Sequence, residues 1–368
     1  MTDTGPKVRD FTATERGLQV AVETSPVYEL LLSMFVWGNK DQSAEYETGS
    51  TFFERVEAGI PPELAEELNA MVGCGEIWLA LVGLAQARNT SHSVAEFLAD
   101  LETIDPITLR TALVEGACTE AGQDKLQAEA AARGDKAAVE AILEGKHDDP
   151  GFRNLLEAEP IDTRRQIIDL VKGVNVAQES SISDALPALD RDADEKRSLA
   201  RSMEPEKLVE TATNGVTFKT QPHITGILLI PSKIIRPWTV IIEHEGMQIF
   251  AYSVSDEHLN ADPDAPPNYL VDLYKALGDD RRLRMLSMLA EGNMGLMEIA
   301  ERVDVAKSTA HHHLGILRRA GLVRVTVGDA KSYSLRRDRV PEAARLLDAY
   351  LTTPAEASSV SSPDPSRS

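Results

Sequence analysis

Apolar positions recur along this chain with two periods, and the changes of period divide it. Residues 7–23 alternate in short pieces, with Leu18, Val20 and Val22 on one side, which predicts one or two strands. Residues 26–37 (PVYELLLSMFVW) form a strongly apolar helix opened by Ser25 as cap and Pro26 in the first turn. From Pro61 to about Asn175 the pattern is nearly all helical. The segments 62–72, 77–88, 94–101, 106–117, 125–132, 136–143 and 163–174 are rich in Ala, Leu and Glu and are separated by Gly, Pro or Asp. The charged, Ala-rich run 125–145 is expected to be an exposed helical pair. No fixed-period repeat occurs, which argues against a solenoid. After Gly215 the chain turns β-branched and aromatic. Strands are predicted at 224–230, 239–243 and 248–253, the last two a hairpin around Gly246, and all are expected to join the N-terminal strands in one sheet carrying the helices.

The helical period returns near the C-terminus. Leu296, Ile299, Ala300 and Val303 fall at i, i+3, i+4 and i+7, and Ala310, His313, Leu314 and Leu317 repeat those offsets in a second helix. Lys307, Ser308, His311, His312, Arg318 and Arg319 are left on the outward side. Upstream, 279–290 reads as a helix with Leu283, Leu286, Leu289 and Ala290 inward, stopped by Gly292. Downstream, 322–327 and 331–335 alternate around Gly328-Asp329, a hairpin, and 341–351 is a final helix. Two short helices at a steep angle with donors on the second, followed by a wing, suit the DNA major groove. The fold class is therefore α+β: a mainly helical N-terminal domain with a small sheet (1–261), a Pro-rich hinge (262–267), a winged helix-turn-helix (268–352) and a disordered tail (353–368).

Charge sharpens this picture. The chain carries 38 Lys+Arg against 59 Asp+Glu, a net charge of -21, which would ordinarily argue against nucleic acid. Residues 281–339 break the trend with 12 basic and 6 acidic side chains, and screening beyond roughly 8 Å lets a basic module on an acidic body still hold phosphates. The 2 cysteines, Cys74 and Cys118, suit a reducing compartment. With no apolar run of membrane-spanning length and no signal-peptide core at the N-terminus, a cytoplasmic protein without membrane contact is expected. Catalytic signatures are missing: His244-Glu245 lacks the second histidine of a zincin, and there is no phosphate loop or nucleophile elbow. The expectation is no enzyme and no cofactor. His311, His312 and His313 point about 100° apart on a helix and cannot converge on one ion, so His313 is expected as a satisfied core histidine. Met294 and Met297 are expected in packing.

The stretches ALGDDRRLRML, STAHHHLGILRRAGLV and the terminal YSL together resemble the ArsR-type bacterial repressors, over roughly 80 of the 368 residues. The resemblance implies a winged helix that binds double-stranded promoter DNA as a homodimer and represses by occlusion. Lys307, Ser308, Thr309, His311 and His312 would face bases, and Arg318, Arg319, Arg324 and Lys331 the backbone. Pairing in the family runs through the helix before the module and the last helix, here Leu270, Leu273 and Tyr274 with Leu347 and Leu351. The thiolate and His-rich metal sites of relatives have no counterpart: 293–299 holds no cysteine and 341–351 no histidine. Two departures stand out. His311 replaces a small residue, which implies either an altered base preference or another phosphate donor. Gly315 replaces a longer polar one, costs about 1 kcal/mol against Ala, and leaves room for close approach of a partner surface. The N-terminal domain is expected to sense a small-molecule or protein effector or to position the dimer. The alternative is an interaction protein, in which that domain docks a partner and the winged helix is scaffold.

Overall fold

Residues 18–118, 125–145, 150–218, 221–259, 268–327, 331–337 and 339–352 are described by the computed structural model. Strand β1 (Gln19–Val22) leads into α1 (Pro26–Gly38), where the Ser25 side chain accepts from the Val27 amide as the cap pattern requires. Helix α1 is buried on nearly all sides, the behaviour of a helix apolar all round. It lies against α4 so closely that a Cβ on Gly38 would meet the Gly75 Cα at 2.7 Å. The helices α2 (Gly49–Gly59), α3 (Pro62–Ala70), α4 (Gly75–Ala87), α5 (Val94–Thr103), α6 (Pro106–Cys118), α7 (Lys125–Ala132), α8 (Lys136–Gly145) and α9 (Pro150–Glu157) share one core with it. Along its flank runs α10 (Pro160–Leu199), 40 residues long, followed by α11 (Pro205–Ala212). No single helix among the described residues is long and apolar enough to cross a membrane.

Two expectations for this body need correction, and three helices add to it. The pair α7 and α8 is not an exposed appendage: Ala128, Ala131, Ala132, Ile142 and Leu143 are buried, because small side chains let the helices pack while their charges face outward. The segment 163–174 is only part of α10, which continues through Pro187 because Ala185, Ala188, Leu189 and Ala193 keep one face buried. Helices α2, α9 and α11 were not anticipated. Residues 1–17, the hinge 262–267 and the tail 353–368 lie outside the described residues.

Strand β2 (Val216–Phe218) precedes β3 (Gly226–Ser232), β4 (Val240–His244) and β5 (Met247–Ser253). The predicted hairpin is present as β4–β5, turning on Glu245 and Gly246, both at positive φ. Its sheet has the order β1-β3-β5-β4, with β1 and β3 parallel to their neighbours, so the N-terminal strand does join the later ones. Beyond it lie α12 (Asn268–Leu277), α13 (Asp280–Glu291), β6 (Met294–Gly295), α14 (Leu296–Val303), α15 (Lys307–Arg319), β7 (Val323–Val327), β8 (Ser332–Leu335) and α16 (Arg339–Thr352). This is the winged helix, and the fold class is α+β. Its core takes Met285, Leu286 and Leu289 from α13, whereas Leu283, expected inward, is 49% exposed. Rotating the stripe onto Met285 satisfies the same period. The wing sheet has the order β2-β7-β8-β6: β2, which belongs by sequence to the body, pairs in parallel with β7.

Candidate nucleic-acid interface

Helices α14 and α15 meet at Asp304, which takes the left-handed conformation (φ +59) that ends α14. Ala310, His313, Leu314 and Leu317 are buried as their spacing requires. In the first half of α15, Lys307, Ser308, His311 and His312 are exposed and Thr309 is half-buried. Lys331, beside the wing, is exposed as well. These residues form a donor-bearing surface with the composition of a groove-reading helix.

The second half of α15 is held by the body. Arg318, read as outward from the helical period, is 7% exposed and donates to the Thr213 carbonyl and the Thr239 hydroxyl at 3.3 and 3.1 Å. Burial pushes its guanidinium down to about 10. The period could place Arg318 only on the side away from the module's core; that side is covered by the chain's own body. Asn214, at φ +52, donates to the Arg319 carbonyl at 2.7 Å, and Arg319 lies 3.9 Å from both Glu47 and Asp272. On the wing, Arg324 donates to Glu210 at 2.7 Å. Burial alone would raise the Glu210 carboxyl, but its bonds from Arg324 and Lys207 outweigh that and hold it below the usual range. Trp238 stacks on His311 with ring centroids 6.0 Å apart and planes 4° from parallel. The same indole occupies the space above Gly315, where a Cβ would sit 2.4 Å from its ring. The close approach that glycine implied is thus made by another part of the same chain. Trp238, Asn214 and Glu210 were not singled out from sequence; Gly315 was the one sign of them.

The five pairing residues separate. Leu270 and Leu273 are buried within the chain, Leu273 in the module's core. Leu347 is half-buried, while Tyr274 and Leu351 are exposed, Leu351 at 71%. The Tyr274 hydroxyl donates to the Ala343 carbonyl at 3.2 Å and ties α12 to α16.

His313 is a core residue at 8% exposure, but its Nδ1 has no hydrogen-bond partner, so it is not the satisfied histidine expected. Burial lowers its pKa below 6.5, with Asp279 opposing. Below pH about 6.5 the unfolded chain takes a proton there that the folded chain refuses. The module's stability should therefore be full above that pH and decline as pH falls toward the folded value. Thermal melts from pH 7.5 to 5.5 should show this decline, and His313→Leu should flatten it.

Among the described residues, Asp192, Glu195 and His258 bring ligand atoms within 4.8 Å of one another. Lys196 lies 2.8 Å from Glu195 and 3.6 Å from Asp192, and Tyr252 and the Ser255 amide both donate to Asp192. With a cation and two donors already on these carboxylates, the cluster is an internal joint between α10 and the segment after β5. Cys74 is a buried thiol outside any disulfide.

Residues 279–325 match the family described as bacterial regulatory protein, arsR family. An uncharacterized HTH-type transcriptional regulator of Methanocaldococcus jannaschii is 38% identical over 79 residues, 21% of this chain and 89% of the relative. The transcriptional activator HlyU of Vibrio cholerae is 40% identical over 14% of this chain and 49% of its own length. The transcriptional repressor SdpR of Bacillus subtilis is 35% identical over 14% of this chain and 58% of its own. With the helix-turn-helix and wing in place, the family match over residues 279–325 and nearly the whole of one relative matched, the chain belongs to the ArsR family of DNA-binding transcriptional regulators, its helix-turn-helix at the C-terminal end.

Proposed function

We propose that the protein is a dimeric repressor that occludes promoter DNA, and that the body-docked arrangement of α15 is its DNA-released form. The observation that carries this is the split along one helix: Lys307, Ser308 and His312 face outward, while Trp238 covers the side formed by His311 and Gly315. Base edges in a major groove would have to approach that same side, so indole and DNA exclude each other there. Lys307, Ser308, Thr309, His311 and His312 read bases; Lys331 holds phosphates, joined by Arg318, Arg319 and Arg324 once these leave Thr213, Glu47 and Glu210.

Dimerisation follows the exposed apolar residues of α12 and α16, Tyr274 and Leu351, with Leu347 behind them. A single module reads too few base pairs for genomic selectivity, and two half-sites about one helical turn apart repair that. Leu351→Glu should convert a dimeric mass, measured by light scattering, to a monomeric one; a wild-type monomer at micromolar concentration removes the dimer.

The direct test is binding to the duplex upstream of its own gene against a random duplex at physiological salt. Lys331→Ala should weaken both and reduce the slope of log affinity against log salt by about one unit. Equal affinity for the two duplexes would overturn sequence-specific repression, and an unchanged slope would remove the wing from the contact.

A further inference from the structure

Between the body and the recognition helix lies a cleft of about 1080 Å³, walled by α4, α6, α7 and β4. Its far rim belongs to the DNA-binding module: His311 from α15 and Lys331 beside the wing both line it. We infer that this cleft is an effector site for a bulky organic cation, and that its occupant holds the module in the docked, DNA-released arrangement. The effect on DNA rests on the repressor reading above; the binding itself does not.

The lining indicates the chemistry. Six carboxylates face the cleft, among them Glu76, Glu115 and Glu129 on three different helices, against the cations Arg133 and Lys331 and two histidines. Glu76, Glu115 and Glu129 are half-buried, so water screens them less than it would surface carboxylates. Phe35, Tyr46 and Trp238 add aromatic surface, and aromatic faces beside carboxylates favour a cation with an apolar body. The volume is at the upper end of small-molecule sites, which fits a multi-ring ligand better than a metal ion.

The direction of the coupling comes from how the site is built. His311 and Lys331 complete the wall only while α15 lies against Trp238. A ligand touching both halves therefore binds the docked state more tightly than the undocked one and shifts the population toward it. By linkage, DNA weakens the ligand by the same factor as the ligand weakens DNA.

The test uses full-length protein and two probes of one shape and opposite charge, tetraphenylphosphonium and tetraphenylborate. Calorimetry without DNA should show phosphonium binding at least about tenfold tighter than borate, and Glu115→Gln with Glu129→Gln should weaken the phosphonium about tenfold, the scale of one or two partly screened charge pairs. Of the 3 tryptophans, Trp37 and Trp78 are fully buried, so quenching on phosphonium addition reports Trp238. Saturating phosphonium should raise the DNA dissociation constant about tenfold, within the usual range of coupled sites. Equal binding of the two probes overturns the cation site, and this comparison in wild type does not depend on how the variants fold. Phosphonium binding without any change in DNA affinity overturns the coupling. If the phosphonium binds and the glutamine variants weaken it while no duplex is recognised, the ligand site stands and the repressor reading falls.

Discussion

Gly315→Ala is expected to raise affinity for operator DNA by about 5- to 150-fold. The added methyl would sit 2.4 Å from the Trp238 ring, closer than any real contact allows. The indole has little freedom to give way, because its backbone amide donates to Ile235, its carbonyl accepts from Ser253, and its ring lies flat on His311. Overpacking of this kind costs about 1–3 kcal/mol, and here only the docked state bears it. The undocked helix instead gains helical propensity from the alanine. Both effects move the population toward the form whose α15 is open, and apparent affinity rises with the fraction that is competent. Anisotropy titrations on the same duplex measure the change, and Trp238 fluorescence should show the ring released. An affinity equal to wild type would mean that the Trp238 contact does not limit DNA binding.

The second large effect is expected at Glu29, on α1 and outside the helix-turn-helix. Its side chain is 4% exposed and accepts from the Ser232 hydroxyl at 2.6 Å and from the Lys233 and Ile234 amides at 3.1 and 2.8 Å. These bonds fix the end of β3 and the start of the segment that carries Arg236 and Trp238. Glu29→Ala leaves two amides and a hydroxyl without their acceptor and should destabilise the body by about 3–5 kcal/mol. Glu29→Gln keeps an acceptor oxygen in place and should cost far less. Burial raises the Glu29 carboxyl above 4.5, with the Ser232 and backbone bonds opposing. A raised folded pKa on an acid gives stability that is present at low pH and lost as pH rises through the folded value. The glutamine variant should lose that dependence, which urea melts at several pH values would reveal; equal melts for Ala and wild type would refute the role of this carboxylate.

How much could be read beforehand depended on the range of the forces involved. The stripes on α14 and α15, the Ser25 cap, the Gly246 turn and the hairpin of β4 and β5 are set by neighbours a few residues apart, and they were legible. Helix α10 was not, since Pro187 and its many charges look like an interruption until Ala185, Leu189 and Ala193 are seen against the core. Arg318 shows the same limit at the site. A periodic argument can place a guanidinium off its own module's core, but it has no knowledge of Thr213 and Thr239, which are distant in sequence. Gly315 came nearest to revealing the docked body, because a glycine inside a recognition helix calls for something close by.

The three-residue pairing of β2 with β7 has a further consequence for any release of the module. Val216, Thr217 and Phe218 align with Val325, Thr326 and Val327, while Phe218 stays anchored on Phe250 inside the body at 5.4 Å. When the module departs, β7 loses this neighbour and presents bare main-chain groups over Val325, Thr326 and Val327. The ladder bonds to β2 are therefore part of what release costs, and contacts made by the freed module must exceed them.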